Sequence, residues 1–282
     1  MKIIECPRDA MQGIKHPIPT DLKIRYLNAL LRAGFDTLDF GSFVSHRAVP
    51  QMADTADVLA GLNLEGVKTG LLAIVANLRG AEDACQHSQI QYLGYPFSIS
   101  DTFQLRNTHR TIAGSRPLVK EILDLCNEKG KELVIYLSMA YGNPYGDPWS
   151  MKIVEQWADE MAQLGIKTIN ISDTIGNSEP GVIKRVFSSL ISRNKGVSFG
   201  AHFHSLPDSR EEKLAAAWEQ GCRRFDVALQ GFGGCPFAND ELVGNVATES
   251  LLTFLEKQGE KVDIQADALR EANELARQVF AL

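Results

Sequence analysis

At 282 residues the chain is long enough to bury a full core, and 44% hydrophobic with 23% charged content is ordinary for a globular protein. The formal charge of −6 speaks against nucleic acid, whose phosphates demand a basic surface. Nor does any apolar run approach the roughly 20 residues that span a bilayer.

The first element begins at once. Met1-Lys2-Ile3-Ile4-Glu5 enters a strand-like run with no signal or transit segment before it. Strands are predicted at 2–5, 37–40, 68–74, 90–93, 132–138, 168–172, 197–202 and 224–229. Each is a brief apolar run, as expected where both faces of a parallel strand are covered. Helices are predicted between them at 21–33, 52–62, 78–86, 117–129, 150–164, 181–192, 208–220 and 239–258. Thr20-Asp21 and 205–208 offer N-cap chemistry, and Gly34, Gly165 and Gly221 punctuate helix ends. Eight strands alternating with eight helices fit a (β/α)8 TIM barrel better than an open Rossmann-type sheet, since no GxGxxG follows the first strand. A further helical segment, 264–282, packs across one end. No linker or repeat divides the chain, so 1–282 is expected to be one catalytic domain. Cys6, Cys85, Cys126, Cys222 and Cys235 are odd in number and without CxxC spacing, which suits a reducing, cytoplasmic setting.

A barrel makes a sharp demand, because its functional groups gather at or beyond the C-terminal ends of the strands. Pro7-Arg8-Asp9 follows the first strand, where Asp9 could ligate a metal and Arg8 could neutralise an oxyanion; a surface ion pair is the plain alternative. Lys15 lies further along the same loop, as a phosphate contact or a solvated lysine. Asp39 ends the second strand and Ser42 follows it. Asp173-Thr174 follows the sixth, where it could instead cap a helix. His202-Phe203-His204 ends the seventh strand. Residues two apart on a strand share a face, so both imidazoles can converge on one ion and leave positions open for substrate. Beyond the eighth strand, Gly231-Phe232-Gly233-Gly234-Cys235-Pro236 is a glycine-rich loop carrying a thiol that is either reactive or inert. Gly244-Asn245 offers an amide oxygen, though Gly-Asn is also ordinary turn vocabulary. His16, His46, His87 and His109 have no partner spacing.

Together these segments resemble the hydroxymethylglutaryl-CoA lyase branch of the metallolyase barrels, a group that also includes isopropylmalate and homocitrate synthases. Pro7 to Gln12 is similar to the family's PRDGLQ motif. Ser42-Phe43-Val44-Ser45 with Val49-Pro50-Gln51-Met52 is similar to SFVSPKWVPQM, and Asp173 to Gly176 to DTIG. His202-Phe203-His204 corresponds to HxH, Gly231 to Pro236 to the cysteine-bearing GLGGCP loop, and Gly244 to Glu249 to GNLATE. The motifs occur in the family's order over nearly the whole chain.

The resemblance implies a divalent-metal-dependent lyase that cleaves 3-hydroxy-3-methylglutaryl-CoA, or a related 3-hydroxyacyl-CoA, to acetyl-CoA and acetoacetate, as in leucine degradation. It implies Asp9, His202, His204 and Asn245 as ligands of Mg2+ or Mn2+, and Arg8, Cys235, Asp39 and His202 as catalytic groups. Arg8, Ser42 and Thr174 would contact the substrate, Lys15 would hold the acyl-CoA, and a homodimer is a family expectation. The chain departs from the family in four places. Asp39 stands where the family has Glu, and His204-Ser205-Leu206-Pro207-Asp208 replaces its HDTYG. Asn143 replaces a cysteine, and one residue is inserted between Cys235 and Asn245. Other readings are a metallobarrel condensing an acyl-CoA with a 2-oxo acid, a catalytically silent acyl-CoA-binding barrel, and a Zn hydrolase, for which no nucleophile–base pair is evident.

Overall fold

The computed structural model describes residues 1–234 and 243–280. Its eight described strands are β1 (Lys2–Glu5), β2 (Thr37–Ser42), β3 (Gly70–Ile74), β4 (Ile90–Ser98), β5 (Glu132–Ser138), β6 (Thr168–Asp173), β7 (Ser198–Phe203) and β8 (Arg224–Val227). All neighbours pair in parallel, and β1 pairs with β8 through Lys2↔Arg224 to Glu5↔Val227, so the sheet closes. The fold is a (β/α)8 barrel.

The described helices are α1 (Pro7–Gln12), α2 (Thr20–Ala33), α3 (Thr55–Ala60), α4 (Leu78–Cys85), α5 (Asp101–Thr108), α6 (Ile112–Glu128), α7 (Met151–Leu164), α8 (Pro180–Arg193), α9 (Arg210–Glu219), α10 (Thr248–Lys257) and α11 (Ala266–Val279). Local chemistry sets several of their ends. Ser150 caps α7 by accepting from the Ile153 amide, and Gly165 ends it in the left-handed region at φ 104°. Gly34 and Gly221 likewise adopt positive φ at helix ends. The N-cap expected at Thr20 is displaced, because Pro19 occupies that position and Thr20 is already helical. At 205–208 a 3-10 turn intervenes before α9, which has no side-chain cap.

α11 is the additional C-terminal helix, buried through Ala272, Leu275, Ala276 and Val279. Among the described residues no helix is long and apolar enough to cross a membrane.

Alternation along the strands separates two cores. Leu38, Leu71, Ala73, Ile135 and Ile169 belong to the large cluster that also holds the helices, while Leu72, Ile74, Val134 and Tyr136 form a small one of their own. The remainder of the interior is polar: Asp39, Asn170, His202, Arg224 and Asp226 are all buried.

Two helices escape the sequence reading. α1 starts directly from β1 with a proline in its first turn, and α5 follows a β4 that runs five residues past the predicted end at 93. Gly94 and Pro96 resemble strand breakers, yet Gly94 leaves room for Ile74, whose Cδ1 a Cβ there would meet at 2.6 Å.

Candidate active site

At the C-terminal end of the barrel, α1 carries Arg8 and Asp9 over the mouth. Helical spacing puts Arg8 and Gln12 on one side, and Arg8 Nη1 donates to Gln12 Oε1 at 2.8 Å and to Asp9 Oδ1 at 3.1 Å. On its other edge Nε and Nη2 donate to the Asp39 carboxylate of β2 at 3.0 and 2.5 Å. A guanidinium has five N–H groups in a fixed fork. These contacts occupy the Nε hydrogen, both Nη1 hydrogens and one on Nη2, so one Nη2 hydrogen remains for an incoming oxygen. Burial works against the Arg8 charge, but Asp39 and Asp9 outweigh it and hold the cation firmly. Burial draws the Asp39 carboxyl upward, and Arg8 opposes this.

Asp9, His202 and His204 each place a ligand atom within 4.8 Å of the other two. Burial raises the Asp9 carboxyl, yet Arg8 and the two imidazoles bring it down to about 2. His204 lies one residue beyond β7, in an isolated antiparallel bridge with Asn245. That bridge brings the Asn245 side chain to Asp9: its Nδ2 donates to Asp9 Oδ2 at 2.8 Å and to the Phe232 carbonyl at 2.9 Å. Gly233, at φ 108°, lies so close that a Cβ would meet Asn245 Nδ2 at 2.4 Å.

Two buried polar atoms here, His204 Nε2 and Asn245 Oδ1, have no hydrogen-bond partner. His204 Nδ1 faces the Thr174 carbonyl at 3.0 Å, so the ring donates there and turns a lone pair to the site through Nε2. A carboxylate, two imidazoles and an amide oxygen, with two lone-pair bearers otherwise orphaned, fit a divalent cation.

A cavity of about 100 Å³ opens beside this set. Arg8, Asp9, Gln12, Ser172, Thr174, His202 and His204 give it a polar side, and Ile74, Pro96, Phe103 and Tyr136 an apolar one. Thr174 therefore lines the pocket. Ser42 instead donates to the Ile74 carbonyl, and Lys15 is exposed outside the lining. Cys235 lies outside the described residues. Gln12, Phe103 and Tyr136 were not anticipated, although Gln12 follows Arg8 by one helical turn.

A family model described as HMGL-like matches residues 2–276. The cytoplasmic 3-hydroxy-3-methylglutaryl-CoA lyase of Rattus norvegicus is 30% identical over 276 residues, covering 97% of this chain and 79% of that protein. The 3-hydroxy-3-isohexenylglutaryl-CoA/hydroxymethylglutaryl-CoA lyase of Pseudomonas aeruginosa is 32% identical over 249 residues, covering 88% and 82%. Among solved structures, an HMG-CoA lyase from Acinetobacter baumannii in complex with coenzyme A and 3-methylmalate superposes with a TM-score of 0.91 at 31% identity. That match covers 99% of this chain and 91% of the other.

Proposed function

The chain belongs to the HMGL-like family of lyases, and from that premise we propose that it cleaves 3-hydroxy-3-methylglutaryl-CoA to acetyl-CoA and acetoacetate. The observation that carries this reading is the convergence of Asp9, His202 and His204 on one point beside the orphaned oxygen of Asn245. In this reading those four residues hold Mg2+ or Mn2+. A dication there supplies Lewis acidity, making a bound tertiary alcohol more acidic.

The remaining chemistry falls to the chain's own groups. Thr174 and the polar side of the cavity orient the acyl head, Lys15 holds the coenzyme A portion, and Ser42 acts indirectly through the end of β3. The Asp39 carboxylate, behind Arg8, takes the hydroxyl proton through an intervening water, and His202 serves as a ligand. The C2–C3 bond then breaks: its electron pair stays on C2, the carbon α to the thioester, as an enolate, and the former alcohol carbon becomes the ketone of acetoacetate. The free Nη2 hydrogen of Arg8 receives the enolate oxygen, and the Cys235 thiol returns a proton to carbon. Asp39 fixes the Arg8 plane from the side away from substrate. The whole chain, 1–282, works as one catalytic unit, a cytoplasmic location accords with the cytoplasmic form among its relatives, and a homodimer is what the family resemblance implies.

Coupled assays of purified protein with hydroxymethylglutaryl-CoA test the reading. Turnover is expected with Mg2+ or Mn2+ and is lost in chelator. Arg8→Lys keeps the charge but not the fork, and is expected to lower kcat about 10²- to 10³-fold, the usual effect of losing one oxyanion donor. Metal-independent turnover, or an Arg8→Lys enzyme with full kcat, would overturn the reading.

A further inference from the structure

Behind His202 stands a carboxylate that belongs to none of the motifs. Asp226, on β8 and 2% exposed, meets His202 Nδ1 through its Oδ2 at 3.2 Å. The same oxygen accepts from Asn170 Nδ2 on β6 at 2.8 Å, and Asn170 Oδ1 accepts from Arg224 Nε at 3.2 Å. Register puts them together, because Ser172, His202 and Asp226 are opposite one another across β6, β7 and β8. Gly200, one step lower on β7, makes room: a Cβ there would stand 2.1 Å from Asn170 Oδ1 and 2.9 Å from Arg224 Cδ.

The direction of every hydrogen bond in this chain follows from its far end. A guanidinium can only donate, so the Asn170 oxygen must face Arg224 and its amide nitrogen must face Asp226. Asp226 Oδ2 is thereby an acceptor. A carboxylate that accepts from both neighbours requires a hydrogen on His202 Nδ1, which leaves the lone pair of that ring on Nε2. Tyr136 closes the other side, edge-on to the imidazole with ring centroids 5.5 Å apart.

We propose that Asp226 is the positioning residue for His202: it selects the Nδ1–H tautomer, aims the Nε2 lone pair at the cation site, and increases the ring's strength as a ligand. The inference rests on the reading of His202 as a metal ligand. The two histidines are then supported differently. His204 leans on the neutral Thr174 carbonyl, whereas His202 leans on an acid that Arg224 holds in one orientation through Asn170. Carboxylates behind ligating histidines typically account for 10- to 100-fold in metal affinity.

Asp226→Asn makes the sharpest test. Its oxygen, kept in the Oδ2 place, still accepts from both the Asn170 amide and His202, so the variant removes only the negative charge behind the ring. Mn2+ binding to metal-free protein, followed by electron paramagnetic resonance, is expected to weaken about 10- to 100-fold relative to the parent. Asp226→Glu, which restores the carboxylate, is expected to recover part of it. In ¹⁵N-histidine spectra the metal-free parent is expected to show His202 as Nδ1–H; this measurement needs no variant and stands even if Asp226→Asn does not fold. An Nε2–H parent, or a folded Asp226→Asn protein with undiminished Mn2+ affinity, overturns the assignment. A parent that binds no Mn2+ overturns the ligand reading beneath it. A parent that binds Mn2+ but leaves hydroxymethylglutaryl-CoA intact removes the proposed reaction and leaves the Asp226 assignment standing.

Discussion

Outside the pocket the Glu5 carboxyl is strongly perturbed, and the cause is visible. It is fully buried at the end of β1, where Oε1 accepts from the Leu229 amide at 2.8 Å and Oε2 from the Thr248 hydroxyl at 2.5 Å. Burial pushes its value up from 4.5 to about 8 against the pull of both bonds. Between those two values the unfolded chain has lost the proton and the native barrel still holds it. The stabilising effect of the neutral acid is therefore complete below pH 4.5 and disappears as pH rises toward 8. Glu5→Gln fixes the neutral state with nearly the same shape. Urea unfolding should show the variant gaining on the parent by a few kcal/mol between pH 5 and pH 8. A difference that stays constant across that range would refute the burial argument.

Legibility at this scale followed chemistry. Arg8, Asp9, His202, His204 and Asn245 were singled out because donor-rich side chains followed strand ends, and they do lie together. Asp226 left a fainter trace, an acid in the middle of an apolar strand whose every other neighbour faces inward. Its partner lies on another strand, which no local spacing reveals. Lys15 and Ser42 matched motifs but stand clear of the pocket lining.

Among the elements, α5 has the most to say about substrate choice. Ser100 caps it by accepting from the Phe103 amide, and Asp147, from the loop before α7, binds the Ser100 hydroxyl at 2.6 Å and the Thr102 amide at 2.9 Å. So anchored, the helix presents Phe103 to the apolar side of the cavity, with Ile74, Pro96 and Tyr136. That wall suits a short alkyl branch at C3 of the acyl group. Phe103→Ala is expected to cost about 3–5 kcal/mol of stability. It should also shift kcat/KM toward longer 3-alkyl analogues by about tenfold or more, as extra methylenes find room. Competition between methyl- and butyl-substituted substrates gives the ratio, and an unchanged ratio would dismiss Phe103 as a determinant. The helix went unseen in the sequence for a physical reason: its anchoring acid, Asp147, lies 47 residues beyond the Ser100 it holds. α1 was missed because a proline directly after a strand reads as a turn, although proline is well suited to a first helical turn.

For the molecule as a whole, the alternation of elements made the barrel legible, since short strand-like runs and one-sided apolar helices take turns along the chain. What the alternation could not convey is how closure joins distant parts of the chain. Asn245 and Asp9, 236 positions apart, share a hydrogen bond at 2.8 Å. A cation held by both therefore binds only the closed form, and it should stabilise that form by about 2.7 kcal/mol at 100 times its dissociation constant. Calorimetric melting in a Mn2+ series would register this as a rising Tm; a flat series would mean that the ligand groups are not held together by closure.

The pairing of β1 with β8 also bears on how the protein comes into being. During synthesis the strand leading to Arg8 and Asp9 leaves the ribosome well before residues 224–227, and its outer edge waits for them. For most of translation that edge is an unzipped seam, free to join any passing strand. Chaperone dependence should therefore be greatest for nascent chains stalled just short of β8.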